Sequence, residues 1–126
     1  MTNPHLFTGC SANYARYPLP AGVRVDRTLR IGMDDGVMLA ATLFSPEDGG
    51  AVPVVIALTP YGKDNDTAFS VFSNMEGSSL GTVSVAEGTS FEAPDPGFWV
   101  PKGYAILIVD VRGQGQSLGE TCFRRR

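Results

Sequence analysis

Between Val23 and Phe44 the chain alternates apolar and polar positions, and later it twice abandons alternation for short unbroken apolar runs. Val23, Val25, Leu29 and Ile31 fall on one side of an extended segment while Arg24, Asp26, Thr28 and Arg30 fall on the other, the period of a half-buried antiparallel strand. Arg27 interrupts its apolar face. Asp34-Asp35-Gly36 supplies a hairpin turn, because an Asp-Gly pair accepts the positive φ that a tight turn between twisted strands demands. The return strand is Val37 to Phe44, with Val37, Leu39, Ala41 and Leu43 on its inner face, and Ser45-Pro46 ends it. Pro53 to Leu58 and Tyr104 to Val109 differ from these two. Each is continuously apolar, rich in β-branched residues and short, the pattern of a buried strand; the second reads as a central parallel strand covered on both faces.

The remainder is connection. Residues 1–22 mix prolines, small polar residues and aromatics without period, and read as an irregular arm draped over the body. Between Lys63 and Lys102 the pattern is weak. Phe69, Phe72 and Met75, spaced by three, predict a short helix closed by Gly77, and residues 78–90 are rich in glycine and serine. Connections this long are commonly functional lids or disordered. Residues 94–103 predict a helical turn or two, with Phe98 and Trp99 docked on the sheet as core aromatics and Gly103 releasing the chain into the strand at Tyr104.

Composition narrows the classes without choosing among them. The 126 residues are the size of one ordinary domain, able to bury about two-thirds of its unfolded surface. A net charge of −3 and a pI near 5.0 argue against a nucleic-acid or anionic-membrane partner. Neither apolar run approaches the roughly 20 residues that cross a bilayer, and the first ten residues lack the basic and apolar regions of a signal peptide. The expectation is a soluble cytoplasmic protein in which Cys10 and Cys122 are free thiols.

Candidate chemistry gathers where the two apolar runs end, since ligands of open α/β sheets collect at the carboxyl ends of the strands. The run from Tyr104 delivers Asp110, Arg112 and a glycine-rich loop. A dinucleotide fingerprint fails there, because Leu118 stands where the third glycine belongs. Gly115-Gln116-Ser117-Leu118-Gly119 spells the nucleophile elbow of serine hydrolases, but Arg112, Gly113 and Gln114 intervene after the strand, and the single histidine, His5, lies far upstream. Ser117 is therefore rejected as a nucleophile, and the loop reads as structural, a tight turn anchored by Arg112. The run from Pro53 delivers Thr59-Pro60-Tyr61-Gly62-Lys63, which puts a phenol at the same rim. Tyr61 is either a functional hydroxyl or an amphipathic residue capping the core. Asp64-Asn65-Asp66 opens like a calcium loop but lacks that loop's glycine and closing glutamate.

Taken together, Met33-Asp-Asp-Gly-Val, Thr59-Pro-Tyr-Gly-Lys, Phe98-Trp-Val-Pro-Lys-Gly-Tyr and Asp110-Val-Arg-Gly-Gln-Gly-Gln-Ser-Leu-Gly-Glu resemble, in order, the X-Pro dipeptidyl-peptidase and cocaine-esterase family of α/β-hydrolases. The resemblance runs from about Arg24 to Glu120. It implies the amino-terminal part of an α/β-hydrolase fold, an antiparallel hairpin followed by parallel strands, ending before the nucleophile elbow. It implies a serine hydrolase acting on a small ester, amide or X-Pro peptide, without metal or organic cofactor, and gives Tyr61 the role of oxyanion donor. The triad serine, acid and histidine are not found, so the expectation is an inactive fragment with residues 121–126 outside the family pattern. In such a fragment the strand from Tyr104 would be left with an unpaired apolar edge prone to aggregation. The competing expectation is a non-catalytic module that binds a small ligand or a partner.

Overall fold

The computed structural model describes residues 14–65 and 83–121. Along these run β1 (Tyr14–Tyr17), β2 (Val23–Gly32), β3 (Met38–Pro46), β4 (Val54–Thr59), β5 (Val83–Ala86) and β6 (Ala105–Asp110). One helical turn, α1 (Pro96–Trp99), passes into a tighter turn at Val100–Lys102 before β6. The main sheet has the order β2-β3-β6-β4, antiparallel except for the parallel pair of β6 with β4. The helix expected from Phe69, Phe72 and Met75 lies outside the described residues.

The apolar run from Tyr104 therefore occupies the middle of the sheet, with Leu107 opposite Leu43 on one side and opposite Ile56 on the other. This corrects the expectation that this strand would expose an unpaired edge. The parallel edge of the sheet is β4. Pairing also explains the composition of β6: Ile106 and Ile108 are fully buried, and a strand wet on neither face has no use for alternating polar residues.

The face on which the core is built is set by an irregularity in β2. Pairing jumps from Asp26 opposite Leu43 to Leu29 opposite Ala41, so Arg27 and Thr28 share one partner position in a β-bulge. The Asp26 carboxylate holds the bulge by accepting from both the Thr28 amide and hydroxyl. A bulge shifts the side-chain period by one. Val25 lies opposite Phe44, but Leu29 and Ile31 lie opposite Ala41 and Leu39, on the other face of the sheet. The expected single stripe of Val23, Val25, Leu29 and Ile31 is thus divided. The inner face of β3 is likewise that of Phe44, Thr42 and Ala40, all fully buried; of the expected Leu39, Ala41 and Leu43, which lie on the other face, the two leucines are half-buried and Ala41 is fully buried.

The core consists of Phe44, Val100, Ile106 and Ile108, joined by Val23, Val25, Val55, Leu19, Ala93 and Trp99. Each large apolar side chain buried there contributes about 1.5–3 kcal/mol. Trp99 docks as expected, whereas Phe98 stays half exposed beneath the Lys102 ammonium. The other face is open at β4, where Val54, Ile56 and Leu58 are 50%, 60% and 67% exposed. The expected buried strand is thus exposed on this face, and on the other Val55 and Ala57 are half-buried.

Residues 14–17 depart from the irregular arm expected of them, since β1 pairs in parallel with β5. Asp95 fastens this small sheet to the body. Its carboxylate accepts from the Tyr17 hydroxyl at 2.7 Å, from the Ala86 amide and, as the cap of α1, from the Gly97 amide at 2.8 Å. Burial together with the bond to Asp95 pushes the Tyr17 phenol up to about 12.

Candidate functional site

Because β4 and β6 run parallel, the loops that follow them leave the same rim, and because β3 runs against β6 its beginning lies there too. Three segments meet: the hairpin turn at residues 33–37, the Tyr61 loop and the glycine loop at 111–119. In the hairpin turn the Gly36 amide donates to Met33 O and only Gly36 takes a positive φ, of 82°. The expected hairpin turn is present, but its positive φ falls on Gly36 alone and Asp35 does not share it.

The glycine loop ties strands and turns together through Arg112, Ser117 and Leu118. Arg112 forks onto the Asp35 carboxylate, with Nη1 to Oδ2 at 2.6 Å and Nη2 to Oδ1 at 3.2 Å, and so ties the loop to the hairpin. That guanidinium and the Val37 amide hold the Asp35 carboxyl below the usual range. Ser117 is buried. Its hydroxyl donates to the Asp110 carbonyl at 2.6 Å and accepts from the Ala40 amide at 2.8 Å, while Leu118 donates to Met38 O. A serine so engaged has its proton committed to a main-chain carbonyl and no imidazole beside it among the described residues, which fits the rejection of Ser117 as nucleophile.

The Tyr61 loop is pinned at nearly every residue. Its amide donates to Thr59 Oγ1 at 3.0 Å, its carbonyl accepts from Asn65 Nδ2 at 2.8 Å, and its ring meets Phe91 edge-on at 5.3 Å. The Tyr61 side chain itself reaches solvent, with 41% of the residue exposed. Gly62 follows with a φ of 101°, a conformation only glycine adopts without strain, and the chain turns sharply inward to Lys63.

Lys63 is the residue the sequence reading missed. It is 1% exposed, and its ammonium spends its three donors on Arg27 O at 3.0 Å, Thr42 Oγ1 at 3.0 Å and Asp64 Oδ2 at 2.5 Å. The Arg27 carbonyl is the one presented by the bulge in β2. Asp64 also accepts from Arg27 Nη1 and from Thr42 Oγ1, both at 2.8 Å. Burial alone would raise the Asp64 carboxyl, but the hydrogen bonds from Lys63 and Thr42 outweigh it and hold it low. The main chain of Lys63 is fixed as well, its carbonyl accepting from the Ser90 hydroxyl and its amide donating to Asp110. Asp66, the third member of the calcium-like run, lies outside the described residues, and among those described no three His, Cys, Asp or Glu side chains cluster as a metal site would need. No helix among them is long and apolar enough to cross a membrane.

Comparison with known proteins gives the family of the chain. The model of the family described as X-Pro dipeptidyl-peptidase (S15 family) matches residues 35–125. A CocE/NonD family hydrolase from Staphylococcus aureus superimposes with a TM-score of 0.63 at 31% identity, over 78% of this chain and 20% of its own. An α-amino acid ester hydrolase, 24% identical, superimposes with a TM-score of 0.54 over 82% of this chain and 15% of its own, a likeness of fold. The chain thus spans about a fifth or less of the length of these solved structures. No curated protein was found to match.

Proposed function

The chain belongs to the X-Pro dipeptidyl-peptidase and cocaine-esterase-like family, and from that membership we propose that it forms the oxyanion side of a serine hydrolase with an α/β-hydrolase fold, acting on a small ester, amide or peptide. In this reading the nucleophile, acid and base belong to the part of the hydrolase that these 126 residues do not span. When a serine oxygen adds to the substrate carbonyl, the electron pair of the C=O bond moves onto oxygen. Tyr61 donates its O–H to that oxygen as the charge develops. A pre-organised donor of this kind is worth about 3 kcal/mol of transition-state stabilisation, since it is already oriented when the charge appears.

The observation that carries the reading is the contrast at Tyr61 between a pinned backbone and a wet side chain. A tyrosine serving only to cap the core would bury its ring and leave its loop free to vary. Here the amide, carbonyl and ring are all held while the side chain reaches solvent at the carboxyl rim.

The test is a graft in which residues 35–121 replace the matching segment of the CocE/NonD family hydrolase from Staphylococcus aureus. Hydrolysis of a nitrophenyl ester is expected, and Tyr61→Phe should lower kcat about a hundredfold. An unchanged kcat in Tyr61→Phe ends the assignment. The 126-residue chain by itself should leave the ester intact, and turnover abolished by Ser117→Ala would overturn the structural reading of the glycine loop.

A further inference from the structure

We infer that Asp110 is the positioning residue of the Tyr61 loop, one carboxylate that binds this loop and the glycine loop together; the inference deepens the function proposed above and rests on it. Asp110 closes β6 opposite Thr59, the last rung at which the two parallel strands pair. Beyond that rung the chains separate, and each returns a backbone amide to the same side chain. Lys63 donates to Oδ1 at 2.5 Å and Gln116 donates to Oδ2 at 2.8 Å, while the main-chain carbonyl of Asp110 accepts from Ser117.

Asp110 is 1% exposed, and both carboxylate oxygens are taken by main-chain donors. It offers nothing to a substrate, so its part is to hold. Charge-assisted bonds from two amides are shorter and stronger than neutral ones, which suits a joint between segments that have no strand ladder left to share. The glycine loop is shaped around it. Gly115 takes a φ of 52°, and a Cβ there would land on the Asp110 carboxylate, so the residue before Gln116 must be glycine for the amide to reach Oδ2. Tyr61 stands two residues before Lys63, so the bond at Lys63 fixes the end of the short arch on which the phenol is carried. A displacement of about 1 Å in a positioned group costs on the order of a hundredfold in rate, which is why such an arch needs a lock at its far end.

The experiment uses the 126-residue chain labelled with ¹⁵N and ¹³C. A spectrum that transfers magnetisation across hydrogen bonds should correlate the Lys63 and Gln116 amides with the same Asp110 side-chain carboxyl carbon; the absence of either correlation overturns the proposal without any variant having to fold. In Asp110→Asn, which keeps the size and one acceptor, whichever of the Lys63 and Gln116 amides faces the new NH2 should exchange at least tenfold faster and the Tyr61 ring signals should move, while amides within β3 and β6 stay within twofold of the wild type. Faster exchange throughout β3 and β6 with unmoved Tyr61 ring signals would mark Asp110 as merely structural and overturn the assignment. None of these readouts involves catalysis, so an unaffected Tyr61→Phe graft defeats the donor reading separately.

Discussion

Arg112 and Asp35 are 77 residues apart in the chain, yet they meet in a two-pronged ion pair that joins the glycine loop to the hairpin turn. The Asp35 side chain is 56% exposed and that of Arg112 32%, so water screens the pair and it adds little to global stability. Its value is local. Acid should therefore loosen the glycine loop before it unfolds the sheet. The Asp35 carboxyl is held below 3.8 by Arg112 first and the Val37 amide second, so its contribution is complete above the unfolded value and is lost as pH falls through the folded one. Amide exchange at Gly113 to Leu118, corrected for intrinsic rates, should accelerate below about pH 4 while β6 stays protected. Asp35→Asn should show the faster exchange already at neutral pH.

Tyr17 gives the opposite sign. Its phenol is raised from 10.0 to about 12 by burial and by Asp95, so its share of stability is intact below pH 10 and is lost as pH climbs through the folded value. Tyrosinate absorbance should show one phenol titrating near 12 in the folded chain, and Tyr17→Phe should remove that step. The same substitution should cost about 1 kcal/mol in denaturant unfolding, the ordinary worth of one hydrogen bond, because Asp95 keeps its amide donors. A variant in which the high step survives would show that another tyrosine carries it.

How much of this was legible before the fold was seen depends on the range of the interaction. β6 could be read from its apolar run, the hairpin from Asp-Asp-Gly, and the structural character of the glycine loop from its spacing, because each of those signals is local. The division of β2 was not. Arg27 could be seen to interrupt the apolar face, but pairing alone decides whether an interruption is a mere exposed residue or an extra one that reverses the side-chain period. Asp110 could be placed at the rim but its two amide partners could not, and Lys63 was hidden for a related reason. A lysine after a strand reads as a solvated rim residue, and its burial depends on a carbonyl 36 residues earlier that only the bulge turns inward. Tyr61 was visible as a candidate from its loop alone, and the clamps around it were not.

Opposite faces of the sheet should respond oppositely to substitution. Ile108 is fully buried against Phe44 and Val100, so Ile108→Ala should cost about 2–5 kcal/mol, enough to unfold a marginal domain. Ile56→Thr, on the open face of β4, should stay within about 0.5 kcal/mol and raise solubility, since β4 is an edge strand with no charge of its own between Val54 and Thr59. Urea midpoints and the concentration at which turbidity appears measure the two effects. Equal destabilisation by both would mean that the open face is covered.

Ser117 distinguishes a buried hydroxyl from a nucleophile. Ser117→Ala removes the acceptor of the Ala40 amide inside the sheet margin, and an amide left unpaired there costs about 1–3 kcal/mol. The wild-type chain should resist labelling by a fluorophosphonate, because the Ser117 proton is already given to the Asp110 carbonyl. Labelling at Ser117 in the folded chain would contradict that assignment directly.

Lys63 offers the most severe test of the site's construction. Lys63→Met keeps the apolar stem and removes the ammonium, which strips a buried donor from Arg27 O and Thr42 and leaves Asp64 with Arg27 and the Thr42 hydroxyl as its donors. Breaking one partner out of a buried pair typically costs about 3–5 kcal/mol, and the partial exposure of Asp64 places the expected loss at the lower end. The acid limb supplies the check that the loss is electrostatic. In the wild type Asp64 is held low by Lys63 and Thr42 against the opposing effect of burial, so stability falls as pH drops through its folded value. Without the ammonium the Asp64 carboxyl rises toward its unfolded value, and the gap between wild type and variant in urea unfolding should narrow from pH 7 to pH 3. A gap that stays constant over that range would assign the loss to packing of the stem and leave the charge at Lys63 without a role in holding the Tyr61 loop.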